Sequence, residues 1–138
     1  IAVYAKFLKR KPVKLAHEIA IEELEAHKSV YARTGGVKLY YVGISDSVRR
    51  YIERVFHMRA PEMTTEEFLI SLGSSSSLSG EEKARLREFL GSCDLVKFAR
   101  YEPGQPELHD LHDSALRLVE ETEPIMAVLE AVKSGEKV

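Results

Sequence analysis

Apolar residues recur at three- and four-residue steps along most of this 138-residue chain, and no segment alternates apolar and polar residues as a half-buried strand would. The first stripe has glutamates between its members, which predicts an amphipathic helix over 13–33 that ends at Gly35-Gly36. Its members are Leu15, Ala16, Ile19, Ala20, Leu24, Ala26 and Val30. A second stripe predicts a helix over 37–56. Its apolar face holds Tyr40 or Tyr41, Ile44, Val48, Tyr51 or Ile52, and Val55.

Two capping boxes mark further helix starts. Thr64 is followed three residues later by Glu67, and Ser79 by Glu82, so each pair can satisfy free amides of a first helical turn. The polyserine run at 74–77 between them is typical of a loop and less so of a phosphorylation site. The helix after Ser79 is expected to bury Ala84, Leu86, Phe89 and Leu90.

The C-terminal third is less regular. Asp94–Tyr101 fits either a helix or a short extended segment, because its apolar residues lie too close together for periodicity to decide. The last helix is predicted to start near Pro106, and Pro124 is expected to kink or restart it. We therefore expect an all-α fold, an irregular bundle of five or six helices, with one domain over 14–134 and a frayed tail at 135–138.

The net charge of −2 hides a strong asymmetry along the chain. Residues 1–14 carry +5, residues 15–101 carry −1 and residues 102–138 carry −6. The net charge of the whole chain is not that of a strongly basic nucleic-acid binder. The single cysteine excludes an internal disulfide and any multi-cysteine zinc site.

Residues 1–13 combine an apolar run with Lys9, Arg10 and Lys11 directly after it. Positive charges that follow an apolar span are typical of the point where a membrane helix enters the cytoplasm. A signal peptide fits poorly, because its charges would precede the apolar run. We expect a juxtamembrane segment that ends a transmembrane helix; the alternative is the amphipathic first turn of a soluble helix.

Few residues indicate catalysis. His109, His112 and Asp113 can share one helix face, and two imidazoles with a carboxylate can hold zinc, although a further ligand cannot be named. The same residues are ordinary on the solvated face of an acidic helix. Cys93 precedes Asp94, which works against thiolate formation, so a buried structural thiol is favoured over a nucleophile.

Two surface functions remain to be weighed. The capped helices that start after Thr64 and Ser79 have the order of a helix-turn-helix, but residues 81–90 have a net charge of zero, which disfavours DNA binding. The tyrosines of 37–56 lie at helical spacing and are predicted to be core. Arg49 and Arg50 beside them, together with Lys97, are the predicted charged contacts for a partner.

Three blocks resemble a known family: Tyr41–Phe56, Met63–Leu69 and Cys93–Ala99. In order and spacing they are similar to the cytoplasmic C-terminal helical region of bacterial membrane proteins associated with the Bat aerotolerance proteins. Those proteins accompany MoxR-type AAA ATPases and von Willebrand factor A domain proteins. The resemblance covers roughly 14–122. It implies a preceding membrane anchor and a role in envelope-linked ATPase machinery, and it supplies no catalytic residue.

Together these features predict a non-enzymatic interaction domain at the cytoplasmic face of the bacterial inner membrane. The expected partner is a protein, such as a MoxR-like ATPase or a von Willebrand factor A domain protein, with no cofactor and no nucleic acid. The alternatives are a metal-dependent enzyme built on His109 and His112, and a helix-turn-helix DNA-binding regulator.

Overall fold

Five helices make up the described part of the computed structural model, which covers residues 14–56, 63–73 and 78–133. They are α1 (Ala16–Thr34), α2 (Val37–Phe56), α3 (Thr65–Gly73), α4 (Gly80–Phe98) and α5 (Gln105–Lys133). No strand occurs in these ranges, and the predicted all-α bundle is confirmed. The predictions for the juxtamembrane segment, the polyserine run and the C-terminal tail fall outside the described residues.

Helix α2 lies at the centre of the bundle. It packs against α1, α4 and α5, while α5 also contacts α1 and α4, and α3 packs on α4. Tyr51 of α2 is fully buried, and its hydroxyl lies 3.1 Å from Thr122 Oγ1 of α5. The tyrosines of α2 therefore belong to the core, as the periodicity predicts.

The turn between α1 and α2 depends on a glycine. Gly35 has φ of 69°, the left-handed conformation that favours glycine, and its amide donates to the Tyr31 carbonyl at 2.8 Å. Only Gly35 and Gly36 separate the two helices, so α1 and α2 form a tight hairpin.

Both predicted helix starts are present. The Ser79 hydroxyl accepts from the Glu82 amide at 3.0 Å, and the Glu82 carboxylate accepts from the Ser79 amide at 2.8 Å. The Glu67 amide donates to Thr64 Oγ1 at 3.2 Å. These contacts form within four residues of sequence, which is why local pattern predicts them.

The segment that periodicity left open is helical up to Phe98. The chain then turns at Arg100, whose φ of 57° is left-handed. The amides of Ala99 and Tyr101 both donate to the Leu95 carbonyl, at 3.1 and 3.0 Å. This cap replaces the glycine that helix ends commonly use.

Several details of the sequence prediction differ from the structure. Ala84 is exposed, because at about 100° per residue it points away from the buried face that Leu86 occupies. Leu15, Ala26 and Val30, placed on the stripe of α1, are also exposed. Helix α5 does not restart at Pro124, since a proline removes one backbone donor while a long helix keeps its other hydrogen bonds on both sides.

Candidate functional site

An open groove of about 350 Å³ runs between α1 and α2 near the tip of their hairpin. Its walls include Val30 and Leu39, which are 40% and 72% exposed. Tyr31 and Tyr40 stack beside them, with ring centroids 4.4 Å apart and planes within 8° of parallel. We call this feature the hairpin groove. Its volume lies in the range of ligand-binding clefts, and its walls are mostly apolar.

The inner part of the hairpin groove is set by a close helix–helix approach. A Cβ atom on Gly43 would lie 2.4 Å from His27 Nδ1, so only glycine allows the imidazole to pack against α2 at this point. Burial, followed by the charge of Arg50, lowers the pKa of His27 below 6.5, although Glu23 and Asp46 act in the opposite direction. The imidazole is therefore uncharged at neutral pH.

Three basic residues lie near the tip of the hairpin. Residues 26–45 contain Lys28, Arg33 and Lys38 and no acidic residue. All three side chains are exposed, and none forms an ion pair within the described part of the chain. None of the three lines the groove itself, whose charged lining residues are Asp46 and Arg50.

Most arginines elsewhere in the bundle are compensated by the fold itself. Arg50 and Arg54 both pair with Glu23, Arg85 pairs with Glu121, and Arg87 pairs with Glu66 at 3.2 Å. On α4, Lys83 also donates to the Gly73 carbonyl at 3.4 Å. The basic side chains of the helix that would read DNA are thus paired with acidic or carbonyl oxygens at the bundle surface, in keeping with the zero net charge of residues 81–90.

The three predicted partner contacts do not lie together. The Arg50 side chain lines the hairpin groove, but its Nη2 is 3.3 Å from both Glu23 Oε1 and Ser47 Oγ. The Arg49 guanidinium lies over the Phe68 ring of α3, 5.0 Å from its centroid. Lys97 Nζ lies 5.2 Å from the centroid of the Phe98 ring, at the end of α4.

Sequence reasoning missed Val30 and Leu39 as groove residues. Their exposure depends on how α1 and α2 meet, which periodicity does not report.

A second groove, of about 290 Å³, lies between α4 and α5. Arg85 and Arg117 line it together with Glu88 and Glu121, and Arg85 is paired with Glu121. Its charges balance, so it shows no preference for a charged ligand.

The histidine cluster on α5 does not assemble as a metal centre. His112 is buried with Nε2 3.1 Å from Glu25 Oε1 of α1 and Nδ1 3.7 Å from Asp113 Oδ1, while His109 is exposed. Over the described ranges, no three His, Cys, Asp or Glu residues lie in a group that could hold a metal ion. His112 instead joins α5 to α1.

Cys93 is fully buried, as predicted for a structural thiol. Burial raises the pKa of its thiol to about 12; Asp94 acts in the same direction, and Lys97 and Ser92 act against it. A thiol of this pKa carries almost no thiolate at neutral pH and is not a nucleophile.

Glu53 on α2 provides a test of how burial affects a carboxylate. Its Oε1 is buried with no hydrogen-bond partner among the described residues, and burial raises the pKa of Glu53 above 4.5 despite Arg49 and Arg50. Because the pKa of Glu53 is higher in the folded than in the unfolded protein, the protonated side chain favours the folded state at low pH. This contribution to the free energy of unfolding is lost as the pH rises through the folded-state pKa.

Glu53→Gln is therefore expected to raise the free energy of unfolding at pH 7 and to change it little near pH 4, where the wild-type carboxyl is largely protonated. Urea denaturation at both pH values measures this, with Glu88→Gln on the exposed face of α4 as control. An equal effect of Glu53→Gln at both pH values would contradict the role of ionisation.

In the part of the chain that the structure describes, no helix has the length and apolar character needed to cross a membrane. Comparison with known proteins found no matching family model, no matching curated protein and no matching solved structure.

Proposed function

We propose that this chain is a non-enzymatic interaction domain of a membrane-anchored bacterial protein and binds a protein of an envelope-linked ATPase system on the cytoplasmic side. The observation that carries the proposal is the hairpin groove, which exposes the apolar side chains of Val30 and Leu39. Exposed apolar side chains around a concave surface cost solvation free energy, and they are typical of a surface that a partner covers.

The class of partner is inferred from a resemblance to the Bat-associated membrane proteins. That resemblance favours a MoxR-type ATPase or a von Willebrand factor A domain protein as the partner. The blocks that carry it are Tyr41–Phe56, Met63–Leu69 and Cys93–Ala99. The buried Cys93 and the inward-facing His112 add no catalytic group to set against an interaction role.

The test is direct binding of the 138-residue chain to a purified MoxR-type ATPase and, separately, to a purified von Willebrand factor A domain protein from the same bacterium, measured by biolayer interferometry. Leu39→Asp is expected to weaken binding by about tenfold or more, because it places a charge on the groove wall. Ile70→Asp is the matched control, since Ile70 is also 72% exposed but lies on α3.

Binding to neither protein would reject the proposed partners. An equal loss of affinity in Leu39→Asp and Ile70→Asp would show that the hairpin groove is not the binding surface. Circular dichroism of both variants checks that the helices are intact, which is expected at positions this exposed.

A further inference from the structure

We propose that the groove between α4 and α5 binds a zwitterionic small molecule, namely an α-amino acid with a large apolar side chain. Residues 85–92 and 114–121 supply the lining of this α4–α5 groove. Its volume of about 290 Å³ is close to the lower end of the usual range of about 300–1,000 Å³, so it suits a small ligand. It shares no lining residue with the hairpin groove, so the inference goes beyond the proposed function and does not depend on it.

The charges that line the α4–α5 groove balance in number, but they are not all paired with each other. Arg85 is paired with Glu121 across the groove. Glu88 on α4 and Arg117 on α5 also line it, and neither forms an ion pair or a side-chain hydrogen bond with any residue that the structure describes. The groove therefore presents one unpaired carboxylate and one unpaired guanidinium.

The ion pair between Arg85 and Glu121 shows how the two unpaired groups are placed. Helices α4 and α5 run antiparallel, with residues 99–104 between them. Glu88 lies three residues after Arg85, and Arg117 lies four residues before Glu121. Because residues three or four apart share a helix face, Glu88 and Arg117 lie across the groove from each other, about one helical turn from that pair.

An α-amino acid matches this arrangement because it carries an ammonium and a carboxylate on the same carbon atom. The Glu88 carboxylate accepts hydrogen bonds from the ammonium, and the Arg117 guanidinium donates two parallel hydrogen bonds to the carboxylate. A ligand with a single charge would leave one of the two protein groups without a partner. The lining has no net charge to attract such a ligand, so the groove favours a zwitterion over a simple anion or cation.

The remaining lining residues select an amino acid with an apolar side chain. Phe89 is 7% exposed, and Leu118 beside it is partly buried. An aromatic or branched side chain that packs against these two residues removes more apolar surface from water than the hydrogen atom of glycine does. Ser92 Oγ donates to the Phe89 carbonyl at 2.8 Å, which leaves its lone pairs free to accept from the ligand ammonium.

A zwitterion with a quaternary ammonium, such as the phosphocholine group of a lipid, fits the groove less well. A quaternary ammonium has no N–H to donate to Glu88, and proteins recognise it with cages of several aromatic rings. Phe89 is the one aromatic residue among the lining residues that the structure describes. The groove therefore suits a primary ammonium.

The experiment titrates the full 138-residue chain with L-phenylalanine and three analogues, followed by ¹⁵N–¹H correlation spectra. N-acetyl-L-phenylalanine lacks the ammonium, L-phenylalaninamide lacks the carboxylate, and glycine lacks the apolar side chain. A pH of about 6 keeps a free α-amino group protonated and a free α-carboxyl group ionised. We expect L-phenylalanine to bind with a Kd of about 1 mM and each analogue to bind about tenfold more weakly, with amide shifts centred on residues 85–92 and 114–121.

Two variants separate the roles of the charged groups. Arg117→Gln is expected to weaken binding of L-phenylalanine about tenfold and to leave binding of L-phenylalaninamide unchanged, because the amide has no carboxylate to lose a partner. Glu88→Gln is expected to weaken binding of L-phenylalanine equally and to leave binding of N-acetyl-L-phenylalanine unchanged. Arg33→Gln and Glu120→Gln remove exposed charges outside the groove and should bind as wild type does. Circular dichroism checks that the helices of all four variants are intact.

Four results would overturn the inference. The first is the absence of shift changes at residues 85–92 and 114–121 with about 20 mM L-phenylalanine, well above the expected Kd. The second is equal binding of L-phenylalanine and either derivative that lacks one charge. The third is an equal loss of all ligands in Arg117→Gln or Glu88→Gln, which would indicate a structural effect. The fourth is tighter binding of glycerophosphoethanolamine than of L-phenylalanine, which would assign the groove to a lipid headgroup.

Discussion

Replacing Phe68 by alanine is expected to lower the free energy of unfolding by about 3–5 kcal/mol, which is typical for removing a buried aromatic ring. Phe68 is fully buried and is the largest core side chain of the nine-residue helix α3. Its ring also lies beneath the Arg49 guanidinium of α2, so the substitution removes a cation–π contact of about 0.5–1 kcal/mol as well. Urea denaturation followed by circular dichroism measures the change.

Ile70→Ala provides the matched control for Phe68→Ala. Ile70 lies two residues away on the same helix and is 72% exposed, so its truncation should change the free energy of unfolding by no more than about 0.5 kcal/mol. A cost below about 1 kcal/mol for Phe68→Ala would contradict the docking of α3 through this ring.

The prediction of α3 and α4 from sequence shows which features are local. The caps at Thr64 and Ser79 could be recognised because their hydrogen bonds join residues three apart. The buried face of α4 was only partly predicted, since Ala84 is exposed and Cys93 and Val96 complete the face. Which side of a helix is buried depends on the positions of its neighbours, and periodicity alone does not define those positions.

The candidate site was harder to predict than the fold, for a similar reason. Arg49 and Arg50 are adjacent in sequence, yet one lies over Phe68 of α3 and the other pairs with Glu23 of α1. Successive helical residues point about 100° apart, so adjacent charges often serve different surfaces. The exposure of Val30 follows from the approach of α1 and α2, which is a tertiary property.

The close approach of the His27 ring to Gly43 predicts a second large effect on stability. Gly43→Ala is expected to lower the free energy of unfolding by up to about 2 kcal/mol, because overpacking costs about 1–3 kcal/mol and the roughly 1 kcal/mol that alanine gains over glycine in a helix offsets only part of it. The added methyl would meet His27 Nδ1, Cε1 and Cγ at 2.4, 2.7 and 2.8 Å. The clash involves three atoms of the ring, so the imidazole must leave its position or the two helices must separate.

Gly91→Ala makes the same chemical change where nothing lies within 4 Å of the added methyl, and it should stabilise the protein by up to about 1 kcal/mol. The two variants should therefore differ by about 1–3 kcal/mol in the free energy of urea unfolding, which is the cost of overpacking alone. If Gly43→Ala stabilised as Gly91→Ala does, the His27 ring would have to move freely, and the hairpin would not be held at this contact.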